Sequence, residues 1–306
     1  MIKLIATVSS IEQARQLLEA GVDILYFGED QFGLRLPHSF SREDQVSLIH
    51  LAHKFGKEVS IAVNAIFHND TVDMVPEYLQ FLKDHHVDTI TVGDPGVIQK
   101  MRTQDLMIPY RYDAQVVVTN SRQINFWAKR GAVGAVLARE IPKEELEEIG
   151  RQLSIPAEVL VYGATCIHQS RRPLLQNYFN YIAKKESVGK DRGLFLSEPM
   201  KRDTHYSIYE DINGTHIFSN NDLCLAYELS DLYHMGFTEW KLDGIFTPED
   251  NFVSIARSFN RARQLVMDDS WTSEDAMGLF QRICDLHPNH RGLDTGFYHK
   301  DREEVI

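Results

Sequence analysis

The stretch EWKLDGIF, residues 239–246, decides the fold, because it is the last of eight short segments that the sequence predicts as β-strands. The other seven lie at residues 3–8, 23–29, 58–66, 88–96, 108–115, 132–140 and 157–164, and their apolar runs are typical of parallel strands buried on both faces. Predicted helices separate most of them, at 10–21, 41–56, 70–87, 121–131 and 143–153, and another follows at 248–266. Eight β/α units in about 250 residues predict a TIM-like (β/α)8 barrel.

A doubly wound open sheet is the alternative that the same alternation allows. A dinucleotide-binding sheet of that kind carries a Gly-rich phosphate loop after its first strand, and none follows residues 3–8. The barrel, at 1–270, is therefore favoured, with 165–238 as an inserted subdomain after strand seven. The tail, 271–306, predicts a helix and a polar segment that pack on the barrel.

The insertion begins at the carboxyl end of a barrel strand, where long loops build functional sites in this fold. Residues 205–219 predict a β-hairpin with Asn-Gly at its tip, and residues 222–236 predict a helix. Between 167 and 203 the chain has eight basic and four acidic residues, with three aromatic residues within 178–181. Such a surface either grips a tRNA loop or is a solvated loop. The RNA-contact candidates are Arg171, Arg172, Lys184 and Lys185.

Bulk composition limits the class of protein. A net charge of −12 and a pI near 5.5 argue against a broad basic surface for nucleic acid. Three widely spaced cysteines argue against a disulfide framework and favour a reducing compartment. The N-terminus does not resemble a signal peptide, and no apolar run is long enough to span a membrane. The sequence predicts a cytoplasmic protein with no membrane partner.

Polar residues within or just after the predicted strands should meet at one end of the barrel. The ligand-pocket candidates are Glu29, Arg35, Asn64, Asp94, Gln115, Asn120, Arg139, Glu140, His168, Lys241 and Asp243. Two arginines and a lysine predict a small carboxylate ligand, because guanidinium groups bind carboxylates with two parallel hydrogen bonds. The alternative is a set of buried ion pairs and amides that only satisfy one another. No individual catalytic role is assigned.

Cys166 follows the seventh strand and has three possible roles: a nucleophile, a metal ligand or a packed thiol. A nucleophile needs a base, and His168 is the nearest histidine in sequence. A metal site would combine Cys166 and Cys224 with histidines of the insertion, but no C-x-x-C or H-x-x-x-H pair supports one, and no metal is predicted. Cys284 lies in a predicted helix and is interpreted as a core residue.

Nine motifs follow one another along the chain, and the resemblance that they carry extends from about residue 3 to 298: DILYFGEDQFGLR, VNAIFHN, DPGVI, DAQVVVTN, VLARE, YGATC, SNNDLC, WKLDG and HRGLDTGF. Their order resembles the collagenase-like U32 peptidases, in particular the short members found beside a longer paralogue in Gram-positive bacteria. Despite the peptidase name, the resemblance implies a role in prephenate-dependent hydroxylation of the tRNA wobble uridine to 5-hydroxyuridine. A peptidase and a non-catalytic partner of a cluster-bearing paralogue are the alternatives. No Ser/His/Asp order, H-E-x-x-H motif or Cys–His pair with an orienting group supports a protease.

The resemblance also implies an iron–sulfur cluster on four cysteines of the insertion. The first matches Cys166 and the fourth matches Cys224, whereas Pro173 stands at the second and residues 194–196, Leu-Phe-Leu, at the third. Two thiolates cannot complete such a site, so no cluster is expected in this subunit alone. The expected partners are a longer cluster-bearing paralogue and tRNA, and a prephenate-like carboxylate is the expected ligand.

Overall fold

A computed structural model describes residues 1–113, 118–301 and 303. Strands are numbered in chain order, and eight of them form a closed parallel barrel: β1 (Lys3–Thr7), β2 (Ile24–Phe27), β3 (Glu58–Val63), β4 (Thr89–Val92), β5 (Tyr110–Tyr112), β6 (Ala132–Val136), β7 (Ala157–Gly163) and β13 (Glu239–Leu242). Strand β13 pairs with both β1 and β7 and closes the barrel. Each of the eight predicted segments contains one barrel strand, so the predicted (β/α)8 barrel is confirmed.

Helices surround the barrel: α1 (Ile11–Glu19), α2 (Arg42–Lys54), α3 (Val75–Asp84), α4 (Pro95–Thr103), α5 (Ser121–Ala128), α6 (Lys143–Gly150) and α9 (Glu249–Met267). Ser10 and Ser41 cap α1 and α2 by accepting hydrogen bonds from backbone amides of the first turn. The sequence analysis missed α4. Asp94 caps it and Pro95 stands at its first turn, so "DPG" begins a helix there.

The chain between β7 and β13 begins with a second, antiparallel sheet. Its members are β8 (Cys166–Ser170), β9 (Phe195–Glu198), β10 (Lys201–Asp211) and β11 (Gly214–Phe218), in the order β8-β11-β10-β9, with α7 (Leu174–Tyr181) between β8 and β9. Strands β10 and β11 form the predicted hairpin. Gly214 has φ +105°, and a Cβ there would lie 2.1 Å from the Ser170 carbonyl oxygen, so the turn requires glycine.

The predicted helix over 222–236 is wrong in its first part. Residues Asn221–Cys224 form β12, and the helix α8 begins only at Leu229 and ends at His234. Strand β12 pairs antiparallel with the end of β7 and parallel with β14 (Gly292–Asp294). These ladder hydrogen bonds satisfy the backbone and override the helical pattern of the sequence. Strand β7 therefore pairs with three strands: β6, β12 and β13.

Helix α10 (Ser273–Leu286) begins at a capping box between Thr272 and Asp275 and packs against α9. Its buried face contains Ala276, Leu279 and Ile283, whereas Cys284 is exposed. The interpretation of Cys284 as a core residue is therefore wrong, because the next position along a helix turns by about 100° away from the face of Ile283. Within the described part of the chain, no helix is long and apolar enough to cross a membrane.

Candidate functional site

A cavity of about 340 Å³ opens at the carboxyl ends of the barrel strands and continues inward as a space of about 60 Å³. The residues that line both are Arg35, Asp113, Val136, Leu137 and Arg139. Residues 165–169 of the insertion form one wall of the outer cavity. The pocket thus lies where a TIM barrel places its functional loops.

The structure brings most of the predicted pocket residues to these cavities. Those that line one or both are Arg35, Asn64, Arg139, Glu140, His168, Lys241 and Asp243. They come from widely separated parts of the chain and meet because the parallel strands all end on the same side of the barrel. These seven positions thus lie around the cavities at the strand ends, and their assignment to a ligand stays a prediction.

Three other candidates do not line either cavity, because a neighbouring helix holds each one. Glu29 pairs with Arg42 of α2 (Oε2 to Nε 3.1 Å) and also accepts a hydrogen bond from Gln45. Asp94 and Asn120 accept hydrogen bonds from backbone amides of α4 and α5, so both are helix caps. Gln115 lies outside the described residues.

Lys241 lines the inner cavity and is only 6% exposed to solvent. Its Nζ atom is 3.6 Å from Glu158 Oε1 and 3.3 Å from the centroid of the Tyr26 ring. Burial lowers the pKa of Lys241, and the carboxylates of Glu158 and Asp243 offset only part of that effect. Burial likewise raises the pKa of Glu158. Because the nearby carboxylates offset only part of the cost of burying its charge, Lys241 can bind an anionic group that enters the cavity.

Two guanidinium groups stand above Lys241. Arg139 donates a hydrogen bond to the Ala164 carbonyl oxygen, and its Nη2 atom is 3.7 Å from Asp243 Oδ2, which is too long for a hydrogen bond. Arg35 donates to Gln169 Oε1 at 2.9 Å and holds a left-handed backbone conformation with φ 55°. Because Arg35 lies on the loop after β2 and Arg139 on the loop after β6, the two cations face the cavity from different sides. Together with Lys241 they make the pocket suitable for a small carboxylate.

Three further ionisable residues line the inner cavity and were missed by the sequence analysis: Asp113, Tyr26 and Glu158. Asp113 accepts a hydrogen bond of 2.8 Å from Asn64 Nδ2. It directly follows β5, so the strand-end criterion that selected the other candidates could have found it. Tyr26 and Glu158 lie inside apolar runs, where neither sequence period nor position reveals that they face the barrel interior.

The insertion places a histidine and an aspartate beside Cys166. A bulge between β8 and β11 puts Cys166 opposite Phe218, two residues along β11 from His216. His216 is fully buried, and its Nε2 atom is 2.9 Å from Asp211 Oδ1. Its Nδ1 atom has no hydrogen-bond partner of ordinary geometry among the described residues. The sequence-based statement that no Cys–His pair with an orienting group exists is therefore wrong.

The electrostatics of this group favour charge separation. Partial burial opposes the thiolate of Cys166, but the interaction with His216 and the charges of Arg35 and Arg139 outweigh burial and lower its pKa. Burial also opposes the imidazolium of His216, but Asp211 and Cys166 outweigh it and raise the pKa of His216. His168, the base considered from sequence, has an exposed side chain, and only its carbonyl oxygen accepts from Cys166 Sγ, at 3.3 Å.

The described residues do not fit a four-thiolate cluster. Cys224 is 2% exposed in β12, and burial raises its pKa to about 12. Pro173 and the residues at 194–196 have no side-chain atoms that ligate iron. In residues 1–113, 118–301 and 303, no group of three or more His, Cys, Asp or Glu side chains is arranged to hold a metal ion. The described residues of this chain therefore do not provide the four thiolates that such a cluster needs.

The RNA-contact candidates lie on the outer side of the insertion, around α7. Arg171, Arg172, Lys184 and Lys185 are all exposed, and Arg171 donates to the Ile212 carbonyl oxygen. Two aromatic side chains of α7 are also exposed, Tyr178 by 56% and Tyr181 by 89%. Exposed rings next to cations have the composition of surfaces that stack bases and contact phosphates. The assignment of this surface to RNA stays a prediction.

Comparison with known proteins places the sequence in a family. The model of peptidase family U32 matches residues 9–305. The chain belongs to peptidase family U32. It is 36% identical over 304 residues to the tRNA hydroxylation protein P2 of Bacillus subtilis, a match that covers 98% of each chain.

A second relative and a solved structure are also similar to this chain. The tRNA hydroxylation protein P1 of Bacillus subtilis is 26% identical over 79% of this chain, and the match covers 58% of that longer protein. Among solved structures, the U32 peptidase Mk0906 matches with a TM-score of 0.50 at 15% identity, covering 79% of this chain and 92% of that one. At this identity, the structural match supports the barrel fold alone.

Proposed function

We propose that this U32 protein is a component of tRNA wobble-uridine hydroxylation, the prephenate-dependent formation of 5-hydroxyuridine. The observation that carries the proposal is the 36% identity to the tRNA hydroxylation protein P2, which extends over 98% of both chains. Because that match includes the barrel, the insertion and the tail, it supports a shared role more strongly than a match to the barrel alone would.

The pocket supports the small-molecule side of the proposal. Prephenate is a dianionic carboxylate, and the cavity presents Arg35, Arg139 and Lys241 within a space of about 340 Å³ and its inner extension. Lys241 and Arg139 face carboxylates at 3.6 and 3.7 Å, so a ligand carboxylate can improve on the contacts that they already make. A prephenate-like molecule is therefore the ligand that we propose for this cavity.

The cysteine positions support a partner. Only Cys166 and Cys224 match the four cluster positions, and Cys224 lies buried in a strand. Chemistry that depends on an iron–sulfur cluster would then need a second protein that holds one. We propose a longer, cluster-bearing paralogue for this role, with tRNA contacted by the basic surface around α7.

The decisive experiment is mass spectrometry of tRNA nucleosides from a strain that lacks this chain, in the presence and in the absence of its paralogue. We expect loss of the 5-hydroxyuridine-derived nucleosides and their return when the wild-type chain is supplied. Lys241→Met should fail to restore them, whereas the exposed Lys54→Met variant on α2 should restore them fully. Unchanged nucleosides in the strain that lacks both proteins would refute the proposal.

The partner is tested separately. Iron and sulfide are measured in each protein purified without oxygen, alone and after mixing. We expect iron in the paralogue and in the complex but not in this chain. Substantial iron in the isolated chain would contradict the proposed division of roles.

A peptidase is the second candidate, because Cys166, His216 and Asp211 have the residue types of a thiol protease. We expect no peptide hydrolysis by the purified chain, since the relative that it matches over 98% of both chains is named a tRNA hydroxylation protein. Hydrolysis that survives purification and disappears in Cys166→Ser would favour the peptidase instead.

A further inference from the structure

We propose that Cys166 is a nucleophilic thiol site that undergoes exchange with small anionic disulfides. His216 and Asp211 hold the thiol in its reactive form, and Arg35 and Arg139 attract the carboxylates of the disulfide. This inference does not depend on the proposed role in tRNA hydroxylation, because it concerns the reactivity of one side chain in the isolated protein.

The first observation is the access of the thiol to a cavity. Cys166 is half-buried on β8 and lines the outer space of about 340 Å³, which is within the size range of small-molecule sites. The same cavity is lined by Arg35 and Arg139. An electrophile with a carboxylate can therefore reach the sulfur and be held by a guanidinium at the same time.

The second observation is the buried histidine behind the thiol. His216 has no exposed surface, and Asp211 Oδ1 fixes its ring through Nε2 at 2.9 Å. Its Nδ1 atom is buried without a partner of ordinary geometry in the described residues. A polar atom is rarely left in this state, and the thiol of Cys166 is the group that interacts with it. A thiol backed by a histidine and a carboxylate is the arrangement that activates cysteine nucleophiles.

The other two cysteines provide contrast within the same chain. Cys284 is exposed on α10, where burial and the neighbouring Asp285 raise its pKa. Cys224 is buried in β12, and burial raises its pKa to about 12. Cys166 alone among the three has a lowered pKa. Solvent access favours reaction at Cys284, whereas the lowered pKa favours reaction at Cys166. The relative rates at which the two thiols react with a disulfide therefore test the proposal directly.

The exchange is balanced without any further reactant. The Cys166 thiolate attacks one sulfur of the disulfide, the sulfur–sulfur bond of the small molecule breaks, and the electron pair leaves with the second sulfur as a thiolate. Cys166 is oxidised to a mixed disulfide and the departing half is reduced. The imidazolium of His216 keeps the proton that the thiol lost and can give it to the departing thiolate. An excess of small thiol reverses the reaction by the same exchange.

The size of the expected effect follows from two opposing trends. Below its pKa, a thiol whose pKa falls by one unit has about tenfold more thiolate. Its intrinsic nucleophilicity falls at the same time by about threefold, since rates follow basicity with an exponent near 0.4–0.5. The net gain is about threefold for each unit. Removal of His216 should therefore slow the reaction of Cys166 at pH 6, because the loss of thiolate outweighs the gain in nucleophilicity.

The experiment begins with the unaltered protein. Dithiobis(nitrobenzoate), which carries two carboxylates, is added at less than one equivalent at pH 6, and the modified cysteine is identified by peptide mass mapping. We expect the label on Cys166 before Cys284. A label that appears first on Cys284 would overturn the proposal, and this result requires no variant to fold.

Rates are then measured in Cys224→Ala/Cys284→Ser, which retains Cys166 alone. In this background Arg139→Met should slow dithiobis(nitrobenzoate) more than dithiodipyridine, which has no carboxylate, because loss of the Arg139 charge reduces the thiolate fraction for both reagents but removes carboxylate binding only for the first. His216→Asn should shift the pH–rate profile to higher pH for both reagents, an effect that a merely structural change would not give. A folded His216→Asn variant with an unchanged profile would overturn the role of His216, and if that variant does not fold, the competition in the unaltered protein decides.

Discussion

The lower part of the barrel interior, near the amino ends of the strands, and the upper part, near their carboxyl ends, contain similar charged groups but pair them differently. In the lower part, Arg111 and Glu239 share two hydrogen bonds, of which Nη2 to Oε1 is 2.8 Å, and both side chains are at most 7% exposed. In the upper part, the Lys241–Glu158 and Arg139–Asp243 distances are 3.6 and 3.7 Å. The lower pair makes two direct hydrogen bonds, whereas the longer upper contacts leave the cations with capacity for another anion.

This difference in pairing indicates that the charged residues of the lower part stabilise the fold, whereas those of the upper part bind a ligand. In a bidentate buried pair each charge compensates the other, and removing one partner leaves an uncompensated charge. A loosely paired lysine beside a carboxyl whose pKa is raised by burial can lose its partner more cheaply, because the carboxyl takes up a proton. Substitutions in the lower part should therefore act on folding, and substitutions in the upper part should act on ligand binding.

The largest expected effect is on the lower pair. Arg111→Met should reduce the free energy of unfolding by about 3–5 kcal/mol, because Glu239 is left buried and unpaired. The matched change Lys241→Met should cost only about 1–3 kcal/mol. Urea unfolding of both variants at pH 7 measures the contrast. Equal losses of unfolding free energy would show that the two ion pairs contribute equally to stability, despite their different distances.

The second prediction concerns ligand binding in the upper part. Prephenate at a concentration about a hundredfold above its dissociation constant should raise the free energy of unfolding of the wild-type chain by about 2.7 kcal/mol. Arg139→Met should remove most of this increase, while Lys54→Met should retain it. Thermal unfolding with and without prephenate provides the measurement. Stabilisation that persists in Arg139→Met would place the binding site elsewhere.

The third prediction concerns the lower rim and its pH dependence. Asp23 accepts hydrogen bonds from the Leu4 amide (3.0 Å), from Lys57 (2.6 Å) and from Arg263. Burial opposes the charged form, but these donors outweigh it and lower the pKa of Asp23 below 3.8. The stabilisation is therefore present above pH 3.8 and is lost as the pH falls through the lower, folded-state pKa.

Asp23→Asn should accordingly cost about 1.5–3 kcal/mol at pH 7, and the cost should shrink as the pH falls below 3.8. Urea unfolding of the wild type and the variant at a series of pH values measures this. A cost that does not depend on pH would mean that the amide of the variant loses packing rather than charge.

The smallest expected effect lies outside the barrel, on the surface around α7. We propose that Lys184 and Lys185 contact phosphates of tRNA. The measurement is the slope of log affinity for a tRNA anticodon stem-loop against log salt concentration. Lys184→Gln/Lys185→Gln should reduce this slope by about 1.4, because each phosphate contact contributes about 0.7. The control pair Lys54→Gln/Lys129→Gln removes the same charge from exposed positions on α2 and after α5. Equal changes in both pairs would indicate an effect of net charge alone.

Much of the fold follows from local signals in the sequence. The eight barrel strands are short apolar runs between amphipathic segments, and that alternation is enough to predict the barrel. The sequence fails at β12, because the run from Asp222 to Gly236 has helical spacing while its first residues pair with β7. Helix α4 was missed because Asp94 and Pro95 were interpreted as a turn, although the same pair begins a helix.

The pocket was predictable in outline, because parallel strands that end together bring their terminal residues together. Glu29, Asp94 and Asn120 fail that criterion for local reasons, since neighbouring helices use their oxygens. The Cys166–His216 contact was not predictable, because it depends on the register between β8 and β11 and on a bulge within it. No spacing along the chain encodes that register.

The pairing of β7 with three strands has a consequence for recombination between relatives. Strand β12 is held by Gly163 of β7, which precedes the insertion, and by β14, which follows the barrel. Gly163 itself admits no side chain, since a Cβ there would lie 2.3 Å from the Asp243 carbonyl oxygen. A cassette cut at residues 165 and 238 would leave both partners of β12 behind. Chimeras between relatives should therefore fold only when β7, the insertion and β14 are exchanged together.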